Sequence, residues 1–139
     1  MENCIFCKIV AGEIPASKVY EDDQALAFLD ITQVTPGHTL LIPKAHCKNL
    51  LDMTAETASH LFSLVPKLAQ GLVATTGADG LNLVNNSEEA AGQTVFHAHI
   101  HLLPRFAQGD GLDIRFVQNA PDFEKMAELA SQIRKEIDA

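Results

Sequence analysis

The stretch FHAHIHLL, residues 96–103, places three of the six histidines of the chain at every second position. Because successive side chains of a β-strand point to opposite faces of a sheet, a strand over residues 97–103 sorts these side chains into two sets. One set shares a single face: His97, His99 and His101. The other set faces a hydrophobic core: Ala98, Ile100 and Leu102. The pattern therefore predicts a sheet with one apolar face and one face available for polar chemistry.

A row of three histidines has more than one interpretation. A single histidine is common at a partly exposed strand position, but three on one face weaken that explanation. A metal bound by all three is disfavoured, since the outer two lie roughly 13 Å apart along a strand and zinc–nitrogen bonds measure about 2 Å. Neighbouring histidines can share one ion at most. The third interpretation is a set of imidazoles with separate roles at a phosphoanhydride or phosphoramidate: a nucleophile, a phosphate ligand and a structural partner.

Composition restricts the class of protein. The chain has 139 residues, of which 47% are hydrophobic and 20% charged, as expected for one globular domain spanning residues 1–139. The formal net charge of −8 argues against a general nucleic-acid binder, because such a protein needs a basic face to displace counterions from phosphates. A small anionic substrate stays compatible if backbone N–H groups, histidines or helix ends supply local donors.

The N-terminal sequence MENCIFCKIV lacks a basic leader followed by a long apolar run. We therefore expect neither a signal peptide nor a membrane-spanning helix, and a cytoplasmic protein. In a reducing compartment, cysteines are more often thiols or metal ligands than disulfides. This expectation applies to Cys4, Cys7 and Cys47.

Short segments bounded by turn residues predict a mainly antiparallel α+β fold. The predicted strands cover residues 19–22, 25–29, 38–43, 81–84 and 97–103. Apolar residues at helical spacing predict a long helix that is capped by Thr54, runs to about Thr76 and stops at Gly77. Residues 121–137 predict a second, C-terminal amphipathic helix.

The segment that leads into the histidine row contains residues suited to binding phosphate. Gly92 permits close approach of the backbone to a ligand, and exposed N–H groups there can hold phosphate oxygens. Thr94 adds a hydroxyl and Asn86 adds an amide. Without the histidines, the same segment is equally well explained as an ordinary hairpin loop.

The residues 97–103, HAHIHLL, resemble the signature of the histidine triad (HIT) family, in which three histidines alternate with hydrophobic residues. The resemblance continues through CIFCKI (4–9), GEIP (12–15), AFLDI (27–31), PGHTLLIPK (36–44) and GQTVF (92–96). It covers most of residues 1–105 and is closest to the Hint branch in its bacterial-type form. It implies one HIT domain with a core at residues 1–106 and a variable C-terminal segment at 107–139. The implied fold is a five-stranded antiparallel sheet with one long and one C-terminal helix, assembled as a homodimer.

The resemblance also implies hydrolase or transferase chemistry on substituted nucleoside 5′-monophosphates, typically an adenosine phosphoramidate that yields AMP. By position, His99 is the nucleophile that forms a covalent nucleotidyl-histidine, and His101 holds a phosphate oxygen. Thr94, where the family more usually has serine, lies near the leaving group. Three further positions match phosphate contacts, the first through its side chain and the others through backbone donors: Asn86, Gly92 and Gln93.

Other positions match the nucleoside contacts of the family. Asp30 matches an acidic residue that accepts hydrogen bonds from the ribose hydroxyls. Without the resemblance, Asp30 is better explained as a turn residue at the end of a strand. Five apolar residues match the walls of the nucleobase slot, for which a purine is expected, although the same residues also suit a core: Ile5, Phe6, Ile9, Phe28 and Ile31.

The pair Cys4-x-x-Cys7 supplies half of a zinc site, and such a pair by itself is a weak signal. Two further ligands are available in His46 and His97, and some bacterial-type members of the family carry zinc at matching positions. The resemblance therefore implies a structural zinc ion on two cysteines and two histidines, with free thiols as the alternative.

Three functional classes stay open at this point. The first is the nucleotide hydrolase described above, or a related dinucleoside polyphosphate hydrolase. The second is a nucleotide-binding interaction protein that turns over little substrate. The third is a metallohydrolase in which zinc on the triad activates a water molecule.

Overall fold

The computed structural model describes residues 3–139. Its strands are β1 (Lys18–Glu21), β2 (Ala25–Leu29), β3 (Thr39–Pro43), β4 (Gly80–Val84) and β5 (Ile100–Arg105). Its α-helices are α1 (Ile5–Val10), α2 (Ala55–Thr76) and α3 (Phe123–Asp138), and a short 3₁₀ turn spans Glu89–Ala91. Within residues 3–139, no helix is both long and apolar enough to cross a membrane.

The five strands form one sheet in the order β1-β2-β3-β5-β4, and every neighbouring pair is antiparallel. The predicted five-stranded antiparallel α+β fold, with one long and one C-terminal helix, is confirmed. In the sheet, Leu40 of β3 pairs with His101 of β5, and Leu41 pairs with Ile100. His101 therefore lies between β3 and β4, near the middle of the sheet.

Helix α2 covers one face of the sheet. Thr54 caps its N-terminus by accepting a hydrogen bond from the Thr57 N–H, and Gly77 ends it at a φ of 72°, as the sequence predicts. The buried residues between α2 and the sheet are Ala25, Ala27, Leu41, Leu61, Leu64, Leu68, Ile100 and Leu102. This core holds β5 from behind and leaves its other face for the histidines.

Helix α1 covers part of the opposite face and is an element that we did not predict. Its N-cap is Cys4, whose Sγ accepts a hydrogen bond from the Cys7 N–H at 3.3 Å. Phe6 and Ile9 of this helix are buried in one cluster with residues of β2 and β3: Leu26, Phe28, Leu40 and Ile42. The CIFCKI segment thus serves both as a short helix and as the lid of a second apolar cluster.

The strand predicted over residues 97–103 begins later than expected, at Ile100, and extends to Arg105. The backbone before Ile100 has partners outside the sheet. The His97 carbonyl lies 2.7 Å from Nδ1 of His99, and the Ala98 N–H donates to the Cys47 carbonyl at 2.8 Å. Because these contacts replace the strand ladder, His97 and His99 lie in the approach to β5, and only His101 lies on it.

Candidate active site

His99 is held by the backbone just before it. Its Nδ1 lies 2.7 Å from the His97 carbonyl oxygen, which can only accept, so Nδ1 carries the proton. The other ring nitrogen, Nε2, is then left with a free lone pair. The ring of Phe6 meets the imidazole edge to face at 5.2 Å, and burial is the main cause that lowers the pKa of His99. A neutral, oriented imidazole with a free Nε2 is the form that a nucleophile requires.

His101 has its tautomer fixed by a second histidine, His38. Nε2 of His38 lies 2.8 Å from Nδ1 of His101. The other ring nitrogen of His38, Nδ1, is buried without a partner among the described residues. A proton on that Nδ1 would be a buried, unpaired donor, which is costly. His38 therefore donates from Nε2 to His101, and His101 keeps its own proton on Nε2. The outcome is an N–H donor on Nε2 of His101, whose ring centroid lies 5.0 Å from that of His99.

His97 turns towards a different set of partners. It is 0% exposed, and its Nε2 lies 2.7 Å from the Pro43 carbonyl, so Nδ1 is unprotonated. Nδ1 lies 3.3 Å from Cys4 Sγ, 3.5 Å from Cys7 Sγ and 3.2 Å from His46 Nδ1. The ring nitrogens of the three triad histidines thus have different hydrogen-bond partners, and the four predicted metal ligands are brought together.

The spacing of these four ligand atoms suits a tetrahedral ion. With bonds of about 2.3 Å to sulfur and about 2.0 Å to nitrogen, neighbouring ligand atoms of zinc lie roughly 3.3–3.8 Å apart. The measured contacts, including 3.4 Å between Cys7 Sγ and His46 Nδ1, fall at or just below this range. The hydrogen bond from His97 to Pro43 is the type of support that zinc-binding histidines receive from outside the ligand set. This cluster can hold a metal ion.

A second cluster, Asp30 with His38 and His101, is close enough to be considered as a metal site. The 2.8 Å between the His38 and His101 nitrogens is a hydrogen-bond distance, shorter than two nitrogens on one zinc ion would adopt. The Asp30 Oδ2 lies 3.6 Å from His38 Nε2. The geometry therefore favours a hydrogen-bonded pair of histidines with a carboxylate beside the shared His38 Nε2, over a second metal centre.

Asp30 stays ionised despite partial burial. Burial on its own raises its pKa, but hydrogen bonds from the Thr32 hydroxyl and N–H, with the nearby His38, lower the pKa overall. Both Thr32 bonds go to Oδ1, so Oδ2 keeps acceptor capacity. Asp30 follows β2 directly and lies within reach of the histidine face.

The loop before the triad differs from its expected role in one respect. The Gly92 N–H donates to the Glu89 carbonyl and the Gln93 N–H to the Glu88 carbonyl. The prediction that these two groups are free donors for phosphate is therefore wrong, because the loop itself uses them. Gly92 does adopt a φ of 95° and lies against the Asn86 side chain, while Thr94 is exposed.

Three of the five residues expected at the nucleobase slot lie in one buried cluster: Phe6, Ile9 and Phe28. Ile5 on the same helix is 47% exposed, and Ile31 is 98% exposed, so the structure does not bring Ile31 into that cluster. Ile5 instead lines an open cavity of about 530 Å³, together with Thr94 and His46. This volume is large enough for a small organic group.

Three further residues support the site and were not predicted from the sequence. Asn85 donates from Nδ2 to the His99 carbonyl at 3.0 Å, which fixes the backbone of that residue. Asn49 and Glu88 bond to each other and connect the loop before the triad to the chain after β3. Single asparagine and glutamate residues in loops carry no sequence pattern that distinguishes them from ordinary turn residues.

Comparison with known proteins identifies the family. A model described as the HIT domain matches residues 11–108. The chain belongs to the HIT family. This confirms the resemblance stated on the sequence motifs.

Several known proteins are similar over nearly the whole chain. The crystal structure of SMU.412c from Streptococcus mutans UA159 has a TM-score of 0.95 and 62% identity, and covers 99% of this chain and 87% of that one. "Protein hit" of Bacillus subtilis is 49% identical over 138 residues, covering 98% of this chain and 95% of the relative. "Adenosine 5'-monophosphoramidase HNT1" of Candida albicans is 34% identical over 139 residues, covering 97% and 91%.

The neutral histidines predict how stability depends on pH. Burial, followed by the neighbouring His99 and His38, lowers the pKa of His101 to about 4. Because the unfolded chain takes up this proton near the ordinary pKa of about 6.5, acid favours unfolding between these two values. We predict a melting temperature that falls from pH 7 to pH 5, and a weaker fall in His101→Gln. Thermal melts of both proteins in the same buffers measure this, and equal slopes would contradict it.

Proposed function

We propose that this HIT protein hydrolyses substituted purine nucleoside 5′-monophosphates, of the adenosine phosphoramidate type, to AMP. The observation that carries the proposal is the His99 ring, whose Nδ1 is bonded to the His97 carbonyl and whose Nε2 is free. The similarity to a relative named as an adenosine 5'-monophosphoramidase supports the choice of substrate class. The reaction is therefore nucleotidyl transfer through a histidine.

The first step forms a covalent intermediate. The lone pair on Nε2 of His99 attacks the α-phosphorus, the phosphorus–nitrogen bond to the leaving amine breaks, and the amine departs with that electron pair and takes up a proton from solvent. The Nε2–H of His101 donates to a non-bridging phosphate oxygen and stabilises the charge that develops. Thr94 places a hydroxyl near the leaving nitrogen.

The second step returns the free enzyme. Water attacks the same phosphorus and releases a proton to solvent, the phosphorus–nitrogen bond to His99 breaks, and AMP is released with Nε2 regaining its lone pair. The hydrogen bond from Nδ1 to the His97 carbonyl persists through both steps, so the ring need not reorient. This fixed ring is a preorganised nucleophile, which lowers the entropic part of the barrier.

The nucleoside is held by groups on the same face. Oδ2 of Asp30 accepts hydrogen bonds from the ribose hydroxyls, since Thr32 occupies only Oδ1. The cluster of Phe6, Ile9 and Phe28 forms the apolar side of a purine slot. Asn86, beside Gly92, supplies an amide near the phosphate.

Substitution of the nucleophile tests the mechanism. His99→Ala removes Nε2, so we predict that steady AMP release from adenosine 5′-phosphoramidate falls by at least about a thousandfold. His60→Ala is the matched control, since His60 lies on α2 and bonds to Asp22. Release is measured by chromatography of the nucleotide.

Two results would contradict the proposal. Undiminished release by His99→Ala means that the nucleophile is wrong. Tight nucleotide binding without release by the wild type favours a nucleotide-binding protein with little turnover.

We propose that a structural zinc ion is held by Cys4, Cys7, His46 and His97. An ion there supplies a crosslink between α1, the segment after β3 and the approach to β5. Burial, followed by the neighbouring Cys4, raises the pKa of the Cys7 thiol, so zinc has to displace a proton on binding. The cluster uses the ring of His97, whereas His99 bonds to the His97 backbone carbonyl and is not among the four ligands, which suits a structural role.

Metal content and stability test the zinc proposal. We predict about one zinc ion per chain in the wild type, and loss of the ion with a lower melting temperature in Cys4→Ser and Cys7→Ser. Cys47→Ser is the control, because Cys47 lies outside the cluster. Elemental analysis and thermal melts measure both properties. Instant loss of activity on adding a chelator, without unfolding, would favour catalytic zinc instead.

We propose that the protein works as a homodimer whose second copy covers α3. This helix has no buried residue, and its apolar side chains repeat every three or four positions: Phe123, Met126, Leu129, Ile133 and Ile137. Such a stripe needs a partner surface. Arg105 at the end of β5 bonds to Asp110 and the Leu112 carbonyl, which ties the start of this C-terminal segment to the catalytic strand.

Truncation tests the dimer. A chain that ends after Phe106 lacks α3, and we predict that it sediments as a monomer and loses turnover, while the full chain sediments as a dimer. Analytical ultracentrifugation and the AMP-release assay measure this. Unchanged oligomeric state and turnover in the truncated chain would contradict the proposal.

A further inference from the structure

Glu88 has a backbone conformation that residues with a side chain rarely adopt. Its φ is 79° and its ψ is 160°, a region in which glycine is the usual occupant. Glu88 precedes the 3₁₀ turn Glu89–Ala91 in the loop between β4 and β5. A strained residue persists only where its surroundings determine its conformation by several contacts.

Those contacts come from the segment that follows β3. The Glu88 carboxylate accepts a hydrogen bond from Lys48 Nζ at 3.0 Å and another from Asn49 Nδ2. Its backbone is also held, because the Glu88 N–H donates to Gln93 Oε1 at 2.9 Å and its carbonyl accepts from the Gln93 N–H at 3.1 Å. Glu88 is thus fixed on its side chain, its N–H and its carbonyl.

Gln93 connects Glu88 to the residues that follow it in the loop. Its side chain is buried, and it accepts from Asn49 Nδ2 at 3.1 Å as well as from Glu88. Its Nε2 donates to the Lys48 carbonyl at 2.7 Å and to the Val95 carbonyl at 3.0 Å. Thr94 therefore lies between Gln93, whose side chain is fully hydrogen-bonded, and Val95, whose carbonyl accepts one of these hydrogen bonds. The network therefore holds the backbone on both sides of Thr94.

We propose that Glu88 is a positioning residue that sets the place of the Thr94 hydroxyl through Gln93 and Asn49. The proposal rests on the function proposed above, in which Thr94 lies near the leaving nitrogen. Glu88 itself does not contact the reacting atoms; it holds the loop in a conformation that the chain would otherwise leave. Glu88 therefore acts on the rate of the first chemical step, with little effect on binding of the nucleoside.

If Glu88 only stabilised the fold, its substitution would lower the melting temperature. The side chains of Glu88 and Lys48 are 44% and 48% exposed, so their ion pair contributes little to global stability. Glycine at position 88 removes both the carboxylate and the backbone strain, because glycine adopts a positive φ readily. Glu88→Gly is therefore expected to change the conformation of the loop while leaving the stability of the fold nearly unchanged.

The experiment compares the full-length wild type with Glu88→Gly, Thr94→Ala and the double variant, with Glu89→Gln as the control for loss of one loop carboxylate. The first readout is hydrogen exchange of the backbone amides at residues 92–95 without substrate. The second is kcat and KM for adenosine 5′-phosphoramidate. The melting temperature is measured for each variant.

We expect Glu88→Gly to speed exchange at residues 92–95 at least tenfold, to keep the melting temperature, and to lower kcat about tenfold at unchanged KM. We expect the double variant to be no slower than Thr94→Ala, because Glu88 acts through Thr94. Glu89→Gln should match the wild type. Effects of Glu88→Gly and Thr94→Ala that multiply in the double variant would overturn the proposal, as would a rise in KM alone.

The exchange measurement separates this proposal from the proposed reaction. If the wild type releases no AMP, the reaction is wrong, but faster exchange at residues 92–95 in Glu88→Gly still supports the positioning of the loop. Unchanged exchange at these residues overturns the positioning role whether or not the wild type is active.

Discussion

The hydrogen bond from His97 Nε2 to the carbonyl oxygen of Pro43 is the interaction on which the rest of the site depends. It fixes a completely buried ring so that Nδ1 faces the two cysteines and His46. The His97 backbone lies just before β5, and its carbonyl accepts the hydrogen bond from Nδ1–H of His99. His97 therefore connects two parts of the site, because its ring belongs to the cluster that can hold a metal ion and its carbonyl orients His99.

The same burial that organises the triad lowers stability in acid. Each triad histidine has its pKa lowered, mainly by desolvation, and is held neutral by partners that accept or donate one hydrogen bond. A neutral imidazole suits the proposed reaction, because one ring nitrogen has a free lone pair while the other donates a hydrogen bond. The cost appears when the solution is acidified, since protonation of these rings is favoured in the unfolded chain. The neutral state of the triad histidines and the predicted acid sensitivity thus have a common physical origin, which is burial.

Much of the fold follows from local sequence rules. The alternation around Ile100 and Leu102, the Thr54 cap and the Gly77 stop are signals that depend on neighbouring residues only, and the structure agrees with them. The predicted start of β5 was wrong, because the His97 carbonyl bonds to the His99 ring and the Ala98 N–H bonds to the Cys47 carbonyl instead of pairing with a strand. Helix α1 was missed because a cysteine sulfur caps it, and cysteine is not among the usual capping residues.

The candidate site was predictable to a different extent. The family resemblance named the four residues of the Cys–His cluster, and the structure brings these four together. It also named the three histidines of the triad. Gln93 differs from its expected role, because its N–H is used within the loop and its side chain is the centre of a buried network. Such networks join residues far apart in sequence, as Asn49 and Gln93 are, so that no local pattern reveals them. Glu88 is a further case, since its positive φ contradicts its residue type.

The central claim is that backbone carbonyls select opposite tautomers for His97 and His99. Nitrogen-15 NMR of the labelled protein at pH 7 measures this directly, because protonated and unprotonated ring nitrogens have well separated chemical shifts. The account predicts a proton on Nε2 of His97 and on Nδ1 of His99, with Nε2 of His99 unprotonated. A His99 ring that carries its proton on Nε2, or on both nitrogens at pH 7, would contradict the account.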